Sequence, residues 1–277
     1  MSIAPRQADR LPDLRDLRRA ALLSHCANTP ERTPKKLHQT DFFHPTMAPM
    51  WHGWLLPHLI AVDDAVWGRW DHWMRTRLAG QMLDEPIPPI QFICEASPGY
   101  TARGHIEYCL RNVTLHGDWR GWSSWTYFDY FCDWLLFGFG HDGQRELPPE
   151  PHGCEGAGAR LYQVFTLERL SAAPHDYFGD ILAENRHGRH LGFFPTPMQV
   201  CVFMTQMNFV DGAKRDQTVC DPALGTGRML LTASNYSYRL YGMDINPTVI
   251  KATLINGYLY APWLVKPFPF FDTPTTL

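Results

Sequence analysis

Hydrophobic residues in the first part of the chain recur at helical spacing. One stripe runs from Val62 to Arg77 and another from Trp125 to Leu136, and leucines between residues 11 and 21 indicate a short amphipathic helix. The Pro-rich residues 84–89 end the first long stripe, and a strand-like segment follows at 91–94. The pattern therefore predicts a mainly helical first part.

The second part of the chain has a different pattern, because short strands alternate with helices. Strands are predicted over 218–221 and 239–244, and the helices that follow them over 228–234 and 248–261. This order of strand, loop, helix and strand is typical of α/β proteins with parallel strands.

Two further helices are predicted upstream of the first strand. Residues 175–184 have the pattern of a helix start, and a helix from Met198 repeats apolar residues at i, i+3, i+4 and i+7. The apolar face of that second helix consists of Val200, Phe203, Met204 and Met207. A Gly/Pro-rich loop at 141–158 separates this part from the first, so we predict domains at 1–158 and 159–277.

Composition narrows the possible functions. Hydrophobic residues make up 45% of the 277 residues and charged residues 19%, which is enough apolar material for a packed core. The net charge of −3 argues against a polybasic DNA-binding protein, although a local basic groove stays possible. His44, His52, His58 and His72 form no HxH or HxxxH pair, so no metal site is predicted.

Targeting signals are not apparent. Residues 191–210 carry no formal charge, but Pro195 and Pro197 make a membrane-spanning helix there improbable, so no membrane association is expected. The seven cysteines are widely spaced and form no CxxC pair, which favours a reducing, cytoplasmic environment.

The loop between the first predicted strand and its helix is the best candidate for a binding site. Gly225 and Gly227 let the backbone approach a ligand closely, and Asp244 ends the next strand, where a carboxylate can accept hydrogen bonds from ribose hydroxyls. Arg228 and Met229 follow Gly227, so the loop lacks the GK[ST] of a nucleoside triphosphate site. Leu230 stands where the GxGxxG dinucleotide fingerprint needs its third glycine.

The residues around this loop resemble a known enzyme family. DPALGTGRMLL at 221–231, followed by YGMDINP at 241–247, is similar to the cofactor motifs of the adenine-N6 DNA methyltransferases, particularly the modification subunits of type I restriction systems. GFFPTP at 192–197 resembles a further motif of that family. Leu224 and Pro195 depart from the usual residues, Cys and an aromatic respectively.

The resemblance implies an α/β fold: a partial Rossmann-like S-adenosylmethionine methyltransferase unit at the C-terminus, beside the mainly helical N-terminal domain. It also implies that Asp221 faces the methionine amino group, Asp244 the ribose and Ile245 the adenine ring, while Thr196 and Pro197 contact the methionine carboxylate. The cofactor-binding residues that it implies are Thr196, Pro197, Asp221, Pro222, Ala223, Gly225, Thr226, Gly227, Asp244 and Ile245.

The catalytic tetrapeptide of this family, Asp/Asn/Ser-Pro-Pro-aromatic, does not follow Asp244 in the sequence. The closest upstream match is SPGY, so Ser97 and Tyr100 are candidate catalytic residues, although an ordinary turn explains the same four residues. Three functions stay open: a DNA adenine methyltransferase or its cofactor-binding subunit, a non-catalytic relative that binds cofactor or DNA, and a small-molecule methyltransferase. The strand at 218–221 otherwise has an open edge, which a strand from the N-terminal domain such as 91–96, a second copy or a partner chain could cover. Of these we expect a partner chain that supplies the catalytic motif, or self-association.

Overall fold

The computed structural model describes residues 51–94, 101–114, 124–184 and 193–271. The helix predicted between residues 11 and 21 lies outside them. The helices are α1 (Leu56–Val66), α2 (Arg69–Ala79), α3 (Thr101–Val113), α4 (Ser124–Gly138), α5 (Ala157–Val164), α6 (Glu168–Ser171), α7 (Tyr177–Glu184), α8 (Met198–Asn208), α9 (Arg228–Ala233), α10 (Pro247–Tyr260) and α11 (Pro262–Val265). The strands are β1 (Thr218–Asp221) and β2 (Arg239–Gly242), and a 3-10 turn spans Pro269–Phe271.

The first long apolar stripe forms two helices, which corrects the single stripe expected from Val62 to Arg77. Gly68 separates α1 from α2 and has a φ of 70°, in the left-handed region that side chains disfavour. Its amide and that of Trp67 both donate to the Asp63 carbonyl, which ends α1. The chain therefore turns at this glycine although the apolar spacing continues through it.

Helix α3 was not anticipated by the sequence analysis, although its apolar residues carry the signal. Ala102, Ile106, Cys109, Leu110 and Val113 are all buried and recur at helical spacing. Helix α3 packs against α5. The period of 3.6 residues in the apolar positions of 101–113 is the sequence signal for this helix.

The strand-like segment at 91–94 is not a strand, so this expectation was wrong. The amide and carbonyl of Ile90 bond to the side chain of Asn235, and the Ile93 amide donates to the Pro174 carbonyl. These partners are a side chain and a loop carbonyl, so the segment needs no neighbouring strand to satisfy its backbone.

The two strands form a parallel pair, as the strand–helix–strand order predicts. Thr218 pairs with Arg239 and Asp221 with Gly242, and the Met243 amide extends the ladder by donating to the Asp221 carbonyl. The crossover contains α9, which contacts both strands. Because the strands are parallel, their carboxyl ends meet at the same edge of the sheet.

A single large core contains residues from both sides of position 158. Trp70 in α2 donates its indole N–H to the Tyr258 carbonyl in α10, and Phe131 in α4 stacks near Phe178 in α7. A smaller core beside the sheet includes Leu230, Leu240 and Trp263. The division into domains at 158/159 stays a prediction. Within the described segments, no helix has the length and apolar character that crossing a membrane requires.

Helix α8 forms where the sequence predicts it, but its apolar face points outward. Val200, Phe203, Met204 and Met207 are exposed, Phe203 by 61% and Met207 by 62%. The residues that α8 buries are Met198, Cys201 and Thr205, and the Thr205 hydroxyl bonds to that of Thr232 in α9. No residue in the described part of the chain therefore covers this apolar face.

Candidate functional site

A cavity of about 410 Å³ lies at the carboxyl ends of β1 and β2. Its volume falls within the range of small-molecule sites in proteins. The β1–α9 loop forms one wall, the residues after β2 form another, and the segment before α8 closes the side. The lining residues are Phe193, Phe194, Pro195, Thr196, Cys201, Asp221, Pro222, Ala223, Leu224, Gly225, Thr226, Arg228, Met229, Asp244, Ile245 and Asn246.

The two glycines of the β1–α9 loop are needed for different reasons. Gly225 has a φ of 54° and Gly227 a φ of 85°, both in the left-handed region. A Cβ at Gly227 would also lie 2.8 Å from Cγ2 of Thr253, so α10 packs directly against this turn. Thr253 in turn donates its hydroxyl to the Gly225 carbonyl at 2.8 Å. The loop is therefore held by α10 as well as by its own turn.

Asp244 connects the end of β2 to the glycine loop. Its Oδ2 accepts from the Gly225 amide at 2.8 Å and its Oδ1 from the Asn246 amide at 2.9 Å. A carboxylate has about four acceptor positions, so each oxygen keeps one position for a ligand hydroxyl. Asp221, at the end of β1, accepts from the Ala223 amide at 3.1 Å and also faces the cavity.

Apolar side chains also line the cavity. Phe193 is buried and lies 3.4 Å from the position that a Gly225 Cβ would take. Phe194 and Ile245 line the cavity too, and their side chains are 73% and 79% exposed. Exposed apolar side chains at a cavity mouth are available to cover a flat ring of a ligand.

A buried polar cluster behind the loop was missed by the sequence analysis. Arg228, the first residue of α9, donates Nε to Asp176 Oδ2 at 2.7 Å and Nη2 to Asp180 Oδ1 at 2.6 Å. His175 lies between Asp180 Oδ2, at 2.7 Å, and the Ile93 carbonyl, at 2.6 Å. Asp176 and Arg228 are 52 residues apart, so no local spacing reveals the pair. The signal that could have pointed to it is charged residues inside otherwise apolar stretches.

The charges of this cluster balance one another. Burial alone would lower the pKa of His175, but the hydrogen bond and charge of Asp180 outweigh it and raise the pKa above its ordinary value. Burial likewise opposes ionisation of Asp180, yet its contacts with His175 and Arg228 lower its pKa. Two carboxylates thus face a guanidinium and an imidazole that favours its protonated form.

Most residues of the predicted cofactor site meet at this cavity. Eight of the ten line it: Thr196, Asp221, Pro222, Ala223, Gly225, Thr226, Asp244 and Ile245. Pro197 and Gly227 do not line it; they are the N-cap residues of α8 and α9. The candidate catalytic residues Ser97 and Tyr100 lie outside the described residues. Searched over its described segments, the chain has no group of three or more side chains that could hold a metal ion.

Comparison with known families gives a match, and it lies over the same stretch of chain. The family model described as N-6 DNA Methylase matches residues 175–261. Over these residues the chain is similar to the N-6 DNA methylases. The matched segment runs from the start of the buried cluster at His175 through the cavity to the residue after α10. Searches of curated proteins and of solved structures found no match.

Proposed function

We propose that the chain binds S-adenosylmethionine in this cavity and serves in methyl transfer to the N6 amine of adenine in DNA. We further propose that a partner chain supplies the catalytic tetrapeptide, as in a restriction-modification assembly. The observation that carries the proposal is the convergence of the motif residues on one cavity: Thr196, Gly225 and Asp244 come from three segments and line the same space.

The charge distribution of the cavity fits this cofactor. S-adenosylmethionine carries a sulfonium and an ammonium cation against one carboxylate, so its net charge is positive. Arg228 is neutralised by Asp176 and Asp180, whereas Asp221 and Asp244 make no ion pair with the residues that the structure describes. The cavity therefore presents uncompensated negative charge, which favours a cationic ligand and disfavours a nucleoside triphosphate.

The residues of the cavity can be assigned to parts of the cofactor. The free acceptor positions of Asp244 suit the two ribose hydroxyls, and the exposed side chain of Ile245 suits a face of the adenine ring. Asp221, the last residue of β1, also lines the cavity and suits the ammonium group. When bound, the cofactor supplies an activated methyl group, and the chain's own residues orient it.

Two features of the surface near the cavity support the proposal that a partner chain binds there. β1 pairs with β2 alone among the described strands, and its other edge is open. The Asp221 carbonyl points toward β2, so the alternate residue Cys220 directs its backbone N–H and C=O toward that open edge. The exposed apolar face of α8 belongs to the same region of the fold, since α8 and β1 both contact α9. A chain that brings the catalytic motif would cover apolar side chains and a strand edge at once.

Transfer of labelled methyl groups to DNA tests the proposal. The assay compares this chain alone with this chain plus a protein encoded beside it that carries the Asp/Asn/Ser-Pro-Pro-aromatic motif. We expect little or no transfer by the chain alone and transfer to adenine by the pair. The control is the pair in which the Asp/Asn/Ser of the partner's motif is replaced by Ala, which should lose transfer.

The alternative function is a catalytically inactive relative that binds cofactor or DNA as a regulatory or structural subunit. This function needs only the cavity and none of the catalytic residues of the family. If the pair transfers no methyl group although the chain binds S-adenosylmethionine, this alternative replaces the methyltransferase. Transfer by the chain alone would instead contradict the need for a partner and return attention to Ser97 and Tyr100.

A further inference from the structure

Asp176, directly before α7, is a carboxylate with no solvent exposure. Its Oδ1 accepts from the Gly179 amide and from Asn256 Nδ2, each at 2.8 Å. Its Oδ2 accepts from the Thr226 hydroxyl and from Arg228 Nε. All four acceptor positions of the carboxylate are therefore used, and two of the donors belong to the β1–α9 loop and the start of α9.

The same contacts hold Thr226 from two directions. Its hydroxyl bonds to Asp176, and its carbonyl accepts from Asn256 Nδ2 at 3.0 Å. Asn256 lies on α10 and is fully buried, so the middle residue of the glycine loop is fixed between the segment before α7 and α10. Gly225 and Gly227 on either side have no side chain with which to make such contacts.

Gly179 shows how closely these groups approach. A Cβ at this position would lie 2.5 Å from the Thr226 hydroxyl oxygen and closer still to Asp176 Oδ2. Real side chains do not reach such distances, so residue 179 must be glycine for α7 to approach the loop. The approach of α7 serves the contact between Asp176 and Thr226, since Gly179 also donates its amide to Asp176.

We propose that Asp176 is a positioning residue for the cofactor loop: it fixes Thr226 so that the loop backbone keeps the shape that receives the ligand. The inference rests on the proposed function. Asp176 is not among the cavity-lining residues and touches the loop from behind. A carboxylate is required rather than an amide, because an Asn at this position would present an N–H group to two of the four donors.

The test compares Asp176→Asn with Asp180→Asn in the full chain. Both substitutions remove a carboxylate partner of Arg228, but Asp180 makes no contact with Thr226 in the described structure. The first readout is amide hydrogen exchange in peptides that cover residues 222–231, without ligand. The second is the affinity for S-adenosylmethionine by calorimetry. We expect Asp176→Asn to speed exchange and to weaken binding by about tenfold or more, and Asp180→Asn to speed loop exchange less than Asp176→Asn, because it leaves the contact between Asp176 and Thr226 in place.

Substitutions of Thr226 keep the test decisive if Asp176→Asn does not fold. Thr226→Val removes the hydroxyl while keeping the shape, and Thr226→Ser keeps the hydroxyl. We expect Thr226→Val to speed loop exchange without ligand, and Thr226→Ser, which keeps the hydroxyl that bonds to Asp176, to leave loop exchange close to that of the wild type.

Loop hydrogen exchange tests the positioning role of Asp176, and the affinity of the wild type for S-adenosylmethionine tests the proposed function. Unchanged loop exchange in both Asp176→Asn and Thr226→Val overturns the positioning role, whatever the ligand affinity. Faster loop exchange in both variants with a wild type that does not bind S-adenosylmethionine supports the positioning of the loop and overturns the proposed function instead.

Discussion

His105 is a buried imidazole whose protonation state follows from its hydrogen bond. The Thr166 amide donates to Nε2 at 3.0 Å, so this nitrogen carries no proton. Burial, and to a smaller extent the positive charge of Arg169, lowers the pKa of His105 to about 3. The folded protein thus keeps His105 neutral at pH values where an exposed histidine is charged.

We predict that this histidine makes the protein less stable in acid. Above pH 6.5 His105 is neutral in the folded and unfolded chain, and its contribution to stability is complete. As the pH falls from 6.5 toward 3, the unfolded chain binds a proton that the folded chain does not, so the free energy of unfolding falls, by a few kcal/mol. His105→Gln keeps an acceptor for the Thr166 amide and removes the titration.

Urea unfolding of the wild type and His105→Gln at pH 7.5 and pH 4.5 measures this effect. Relative to the variant, the wild type should have a free energy of unfolding about 2 kcal/mol lower at pH 4.5 than at pH 7.5. An equal difference at both values would show that His105 is accessible to protons in the folded state.

In helix α8 the residues that are buried are not the ones that form the apolar stripe of the sequence. Its apolar face is exposed and its buried face includes Cys201 and Thr205, so the pattern of hydrophobic residues does not report which side packs on the described chain. Met198 is 1% exposed at the start of the helix, while Phe203 is mostly exposed. These two residues allow a direct comparison within one element.

We predict that a substitution on the buried face of α8 lowers the free energy of unfolding much more than one on the exposed face. Met198→Ala removes buried methylenes and should lower the free energy of unfolding by about 2–4 kcal/mol. Phe203→Ser removes an exposed ring and should change it by less than about 0.5 kcal/mol in the isolated chain. Chemical denaturation of both variants measures this, and a loss of more than about 2 kcal/mol for Phe203→Ser would place that ring in the core of the isolated chain.

The elements that could be predicted from sequence are those set by local signals. β1 was predicted at its observed bounds, and the strand predicted over 239–244 begins where β2 begins, because turns and polar residues bound each apolar run. The break at Gly68 was missed because apolar spacing continues across it while the backbone needs a left-handed residue. The segment at 91–94 was predicted as a strand because its composition suits one, but its hydrogen-bond partners lie far away in sequence.

The same distinction applies to the candidate site. The glycine loop and Asp244 lie within one strand–loop–helix–strand unit, so their proximity follows from chain order. Asp176 and Asn256 reach Thr226 from 50 and 30 residues away, and a single sequence contains no local signal for such a contact. The cavity could therefore be predicted, whereas the cluster that supports it could not.

Across the whole molecule, one core links the helical part to the unit that carries the cavity. Arg69 in α2 donates to the Tyr260 carbonyl in α10 and to the Ser234 hydroxyl after α9, each at 2.7 Å. Lys251 in α10 pairs with Asp129 and Asp133 in α4, each at 2.8 Å. The helices thus brace α10, which in turn holds the glycine loop through Thr253 and Asn256. In this arrangement the helical part supports the cavity from outside, since every residue that lines it lies at position 193 or beyond.

Calorimetric titration of S-adenosylmethionine into the wild type, Asp244→Ala and Asp216→Ala tests the central claim most directly. Asp216 is an exposed carboxylate that does not line the cavity, so it is the matched control. We predict that the wild type and Asp216→Ala bind with equal affinity and that Asp244→Ala loses about 1–3 kcal/mol of binding free energy. No binding by the wild type, or equal binding by Asp244→Ala, would contradict the assignment of this cavity to the cofactor.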